Sequence, residues 1–233
     1  MPRTAYKHLF FDLDHTLWDF ERNSAETLGE LYDTFDLRGL GVTTVGDFQR
    51  TFSQTNHELW RLYDTGRISQ TDLRHSRFRR VFAALGVEEP GCCDALNERY
   101  LAICPGKGYL IEGATELLEY LAPRYTLHVI TNGFNDVQHT KLRTSGLAPY
   151  FREVITAQRA EASKPAPAIY TYALRVAACA CTDCVMIGDN WENDVLGARQ
   201  AGLAAIWYNP ERTEVPDADC RHVATLRELT ELL

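Results

Sequence analysis

The sequence predicts an α/β protein: a parallel β-sheet flanked by helices, with an all-helical segment inserted after the first strand. Three observations lead there. Short apolar runs that end in polar residues recur along the chain. Segments with apolar residues at helical spacing lie between them. The stretch from about Arg22 to Cys104 breaks this alternation and reads as several helices with no strand. Strand–helix alternation implies a parallel sheet, because each crossover helix returns the chain to the same sheet edge and covers a face.

Leu9-Phe10-Phe11-Asp12-Leu13 reads as a buried strand that delivers Asp12 at its C-terminal end. The insert follows, with three apolar stripes. Val45, Phe48, Phe52, Leu59 and Leu62 form the first. Leu73, Val81, Phe82 and Leu85 form the second, closed by Gly86, and Leu96, Tyr100 and Ile103 form the third. The alternation then resumes. Ala114, Leu117, Leu118 and Leu121 predict a helix, and Leu127 to Ile130 a strand that ends at Thr131-Asn132-Gly133. Val154 to Thr156 reads as a strand. Ile169, Tyr172, Ala173 and Val176 read as a helix opened by Pro165 and Pro167. Val185 to Ile187 ends at Gly188-Asp189, and Leu203 to Tyr208 ends at Asn209-Pro210. The expected division is a core from residues 1–20 and 105–233 and a helical insert from 21–104. In such sheets ligands bind outside the carboxyl ends of the strands, where each of these polar termini would sit.

The chain has 233 residues, 45% of them hydrophobic and 24% charged, with a formal net charge of −8. It carries no Lys/Arg block, which argues against polynucleotide and anionic-membrane partners. No apolar run approaches the ~18 residues of a membrane span. Met1 to Lys7 leads straight into a strand and does not read as a signal peptide. Its 7 cysteines, an odd number without a secretory signal, suggest reduced thiols and a cytoplasmic location. Cys179, Cys181 and Cys184 form C-x-C-x-x-C, but a structural zinc site wants four ligands and no fourth Cys or His lies close in sequence. They read as small apolar residues at a helix end and loop.

Asp12-Leu13-Asp14-His15-Thr16 puts two carboxylates two residues apart at a strand end. Such a pair can bracket one hard cation, or one member can attack phosphorus while the other exchanges a proton. Thr131 ends a strand where its hydroxyl can hold a phosphate oxygen, with Asn132 beside it. Lys164, just before a helix, can neutralise a phosphoryl group. Asp189 ends another strand and Asp194 follows. Magnesium prefers such oxygen ligands. His15 is given no proton-transfer role. Aromatic residues of the insert read first as core packing. Phe20 and Asn23, close to the first motif, are the candidates for substrate contact.

Asp12-Leu13-Asp14-His15-Thr16, Thr131-Asn132-Gly133, Lys164-Pro165 and Gly188-Asp189-Asn190-Trp191-Glu192-Asn193-Asp194 together resemble, in order, the motifs of the haloacid-dehalogenase-like hydrolase superfamily. The resemblance covers nearly the whole chain. It implies a Rossmann-like core with an inserted helical cap. It implies Asp12 as nucleophile, Asp14 as general acid and then base, and Thr131 and Lys164 as phosphate-holding groups. It also implies a magnesium site of Asp12, the Asp14 carbonyl and Asp189, with Asp194 orienting that site or Lys164. Phe10 to Phe20 looks most like the pyrimidine 5′-nucleotidases that act on non-standard nucleotides. That resemblance implies a small phosphorylated substrate, a nucleoside 5′-monophosphate first; the expected assembly is a monomer or homodimer.

Other reactions run on the same scaffold. The dehalogenases lack the second Asp of the first motif. The phosphonate hydrolases need a cap lysine, and no Lys lies between Lys7 and Lys107. The alternatives left open are a phosphoglycolate or sugar-phosphate phosphatase, a β-phosphoglucomutase-like phosphomutase, and a silent phosphate-binding regulator.

Overall fold

The computed structural model describes residues 6–233. The chain falls into two compact units, Phe20–Lys107 and Met1–Asp19 with Gly108–Leu233. The first of these is helical: α1 (Phe20–Thr34), α2 (Val45–Asp64), α3 (Gln70–Ala84) and α4 (Cys93–Ile103). Thr44 caps α2 by accepting from Asp47 N, and Ser69 with Asp72 forms a reciprocal capping box on α3. The three apolar stripes meet in one core, except that Val45, in the first turn of α2, is 39% exposed. The Phe52 and Tyr100 rings lie 4.9 Å apart and those of Phe48 and Phe78 6.1 Å. Arg77 is only 3% exposed, with its guanidinium 5.8 Å from the Phe52 ring and 5.5 Å from the Tyr100 ring.

The other unit is a six-stranded sheet of β1 (His8–Phe11), β2 (Thr126–Thr131), β3 (Phe151–Thr156), β4 (Cys184–Gly188), β5 (Ala204–Tyr208) and β6 (Arg221–Val223). The order is β3-β2-β1-β4-β5-β6 and every pairing is parallel. Helices α5 (Ala114–Leu121), α6 (Asn135–Thr144), α7 (Ala157–Ala160), α8 (Pro167–Ala177), α9 (Gly197–Gln200) and α10 (Leu229–Leu232) flank it. The inner strands β1 and β4 are apolar at successive residues because both of their faces are buried. Phe10, Ile130, Ile155, Met186 and Trp207 of the sheet pack with Ile169, Tyr170 and Ala173 of α8. Burying each large apolar side chain of this kind contributes roughly 1.5–3 kcal/mol. No helix among the described residues is long and apolar enough to cross a membrane.

Strand β6 carries no strand signal in the sequence. Arg-His-Val at a sheet edge keeps its first two residues exposed, so it has neither an apolar run nor an alternation. Cys179 and Cys184 do approach, Sγ to Sγ 3.2 Å. Among the described residues, however, the one group of three ligand-type side chains lying within 4.8 Å of each other is made of carboxylates.

His128, in β2, is fully buried and stacks 4.8 Å from Phe10. Burial, aided by the charges of His8 and Arg152, lowers its pKa to about 4. The unfolded chain takes up a proton near pH 6.5, whereas the folded one resists until about pH 4. Across that window the unfolded state binds more protons, so stability falls with falling pH, by on the order of 2 kcal/mol. Urea unfolding at pH 7 and pH 4.5 should register this loss. It should shrink in His128→Phe, which keeps the stack and removes the titration.

Candidate active site

From β1 the chain runs outward to β2 and β3. It then returns to β4 on the other side of β1 and continues to β5 and β6. The reversal lies between β1 and β4, where open parallel sheets form their ligand crevice. Asp12 follows β1, and its N–H donates to Ile187 O at 2.9 Å, extending the β1–β4 pairing. Thr131 ends β2, Gly188 ends β4, and Asp189 follows it.

Lys164 Nζ donates to Asp12 Oδ1 and to Asp194 Oδ1, each at 2.6 Å. All three residues are buried, with Asp194 at 0% exposure. The Asn132 side chain fixes the lysine backbone: Nδ2 donates to Lys164 O at 2.9 Å, and Oδ1 accepts from Lys164 N at 2.7 Å. Asp194 sits in a π-helical turn, Trp191–Leu196, and its Oδ2 accepts from Asn190 N at 3.1 Å. Gly188 permits this closeness, since a Cβ there would lie 2.2 Å from Asp194 Oδ2. Thr16 Oγ1 donates to Asp189 Oδ1 at 3.0 Å and accepts from Asp189 N at 3.1 Å. Trp207 Nε1 donates to Asp189 O at 2.8 Å.

Asp14 has a different set of partners. Lys141 Nζ donates to its Oδ1 at 2.6 Å and its Oδ2 at 2.8 Å. Gln138 Nε2 donates to Oδ2 at 2.9 Å and to Thr131 Oγ1 at 3.1 Å. Between Asp12 and Asp14 the chain turns into the loop that holds His15 in the left-handed region, at φ 62°.

These partners set the charges. Burial pushes Asp12 up to about 7 against the pull of Lys164, with Asp194 and Asp14 adding to the rise. Burial, then the Asp12 charge, pushes Asp189 up to about 6. Asp194 is raised chiefly by burial. Burial works against the Lys164 charge, but Asp12 and Asp194 outweigh it and raise that ammonium's pKa. For Asp14 burial acts upward, yet the Lys141 charge and the hydrogen bonds of Gln138 and Lys141 outweigh it and hold the carboxyl below its ordinary range. Four carboxylates thus face two ammonium groups. Oxygens of Asp12, Asp189 and Asp194 lie within 4.8 Å of one another. Crowded oxygen donors with raised pKa values are a set that a hard divalent cation fits and relieves.

The fold therefore gathers Asp12, Asp14, Thr131, Asn132, Lys164, Asp189 and Asp194 at one sheet edge. Phe20 and Asn23 lie on α1 of the helical unit, Asn23 fully buried. Sequence reasoning missed the partners of Asp14 and Asp189, namely Gln138, Lys141 and Thr16. The signal for the first two was polar residues one turn apart on the buried face of α6.

The parallel-sheet core thus carries paired carboxylates after its first strand, with a buried lysine bonded to the first of them. The haloacid dehalogenase-like hydrolase family model matches residues 6–202. The pyrimidine 5′-nucleotidase PynA of Streptococcus pneumoniae is 34% identical over 211 residues, 90% of this chain and 86% of that protein. The pyrimidine 5′-nucleotidase YjjG of Escherichia coli is 33% identical over 228 residues, 97% of this chain and 96% of its own. Among solved structures, the magnesium-bound HAD-hydrolase YfnB of Bacillus subtilis superposes with a TM-score of 0.87 at 26% identity, covering 98% of each chain. The chain belongs to the haloacid dehalogenase-like hydrolase family. It is an enzyme with the Rossmann-like fold of that family and of its phosphatase type.

Proposed function

We propose that the chain is a magnesium-dependent phosphomonoester hydrolase working through an aspartyl-phosphate, with pyrimidine nucleoside 5′-monophosphates as its preferred substrates. The observation that carries this is Asp12, a buried carboxylate at the β1–β4 switch point, bridged through Lys164 to Asp194, with a second, separately held carboxylate two residues on. The nucleotide preference is supported by the likeness to PynA and YjjG. Phe20 of the helical unit is the residue proposed to read the base, whereas Asn23, expected from the sequence to share that task, is fully buried within its own unit.

Asp12 Oδ attacks the phosphorus, and the bond to the leaving oxygen breaks. Lys141 keeps Asp14 ionised in the resting site. Asp14 therefore takes up a proton from solvent when substrate binds and gives it to the leaving alcohol as that bond breaks. In the second step Asp14 takes a proton from water, the hydroxyl attacks phosphorus, and the Asp12–phosphorus bond breaks. Lys164 and Thr131 hold the phosphoryl oxygens throughout, and Asn132 holds the Lys164 backbone in place. Asp12, Asp189, Asp194 and the Asp14 carbonyl would hold magnesium, which when bound offsets the phosphoryl charge.

The test is phosphate release from UMP, dUMP, dTMP, phosphoglycolate and glucose 6-phosphate, with magnesium and with chelator. Release that needs magnesium and is fastest on the pyrimidine monophosphates is the expected result. Fastest release on another ester would discard the nucleotide preference. Release from none would discard the hydrolase.

A further inference from the structure

We propose that Lys141 and Gln138 are positioning residues that aim the carboxyl group of Asp14 at the leaving oxygen, a second ammonium site with a task separate from that of Lys164. The inference rests on the phosphohydrolase reading above. The two lysines do not share partners. Lys164 bonds Asp12 and Asp194, whereas Lys141 bonds Asp14 through both carboxylate oxygens. A carboxylate in a loop after a strand can turn about two side-chain bonds. Proton transfer needs it within hydrogen-bond reach of one particular oxygen. Contacts from one side to both oxygens remove that freedom and leave the remaining lone pairs to face the substrate.

The clamp is itself fixed. Lys141 is 5% exposed, and its ammonium lies 4.3 Å from the centre of the Trp18 ring. Gln138 is 1% exposed and bonds Thr131 Oγ1 as well as Asp14. A Cβ on Gly133 would fall 1.6 Å from Gln138 Nε2, so the glycine after Thr131-Asn132 makes the room that the amide occupies. The same glycine donates its N–H to Thr131 Oγ1 at 3.1 Å. Gln138 Oε1, by contrast, is buried with no hydrogen-bond partner. A native fold seldom leaves such an atom unmet without a reason. Here the orientation that strands Oε1 is the one that brings Nε2 to both acceptors. Gln138 and Lys141 stand three residues apart on α6, so one helical turn presents both to Asp14.

The leaving group tests this. The ribose oxygen of dUMP needs a proton as it departs, whereas the phenolate of p-nitrophenyl phosphate departs without one. kcat/KM reports formation of the aspartyl-phosphate in both cases. Lys141→Met keeps an unbranched apolar side chain of similar length and removes the ammonium. It should lower kcat/KM for dUMP about 100-fold but that for p-nitrophenyl phosphate by less than about fivefold. The second step also uses Asp14. The variant should therefore release a rapid burst of nitrophenolate, one per enzyme, before a slower steady rate. Gln138→Met, which removes only a neutral contact, should give a smaller split in the same direction and carries the comparison if Lys141→Met does not fold. Equal losses on both esters, or no loss on dUMP, would overturn the positioning role and leave the hydrolase standing. A wild-type enzyme inert toward both esters would instead remove the phosphohydrolase reading itself.

Discussion

Asp12→Asn is expected to lower turnover by at least about four orders of magnitude while leaving the protein folded. The substitution keeps the shape of the side chain and removes its ability to form an acyl phosphate. Its cost to the fold is small for a reason visible in the site. Burial, opposed by Lys164 and reinforced by Asp194 and Asp14, holds the Asp12 carboxyl up at about 7, so its charge is carried at a disadvantage. A neutral amide is spared that disadvantage, and its oxygen can still accept from Lys164. Phosphate release and a thermal melt measured side by side are the check. Turnover within about tenfold of wild type would mean that Asp12 is not the nucleophile.

Lys164→Met should act on stability as strongly as on rate. The ammonium is the shared partner of two buried carboxylates. Removing one member of a buried ion-pair group leaves uncompensated charge, which costs about 3–5 kcal/mol. Activity should fall by roughly 10³-fold as well, since the phosphoryl charge loses its fixed cation. The double variant Lys164→Met/Asp194→Asn separates the two effects. It should recover part of the stability, because one stranded charge is gone, and none of the rate. Chemical denaturation of the single and double variants gives the first comparison, and phosphate release the second. A single variant as stable as wild type would contradict the charge arrangement described.

The positions of Asp12, Thr131 and Asp189 were legible because each closes an apolar run. A strand buried on both faces announces its end when the first polar residue appears. Lys164 was legible from the prolines that follow it and open α8. Three-residue β6 lacked any such contrast. The partnership of Asp14 with Gln138 and Lys141 was hidden for another reason. It joins residues more than 120 positions apart, and polar side chains on a helix read as its solvent face until a neighbour is known to cover them. Gly133 has the same character: within the sequence it marks a turn, and only the fold reveals that it vacates space for Gln138.

The most direct test of the covalent route is to stop the enzyme during turnover of dUMP with acid, reduce the acyl phosphate with borohydride, and map the modified residue by peptide mass spectrometry. Reduction converts a phosphorylated aspartate to homoserine. The expected result is homoserine at position 12 alone, dependent on substrate and missing from Asp12→Asn. Sustained turnover with aspartate intact at position 12, or phosphate carried on another side chain, would contradict it.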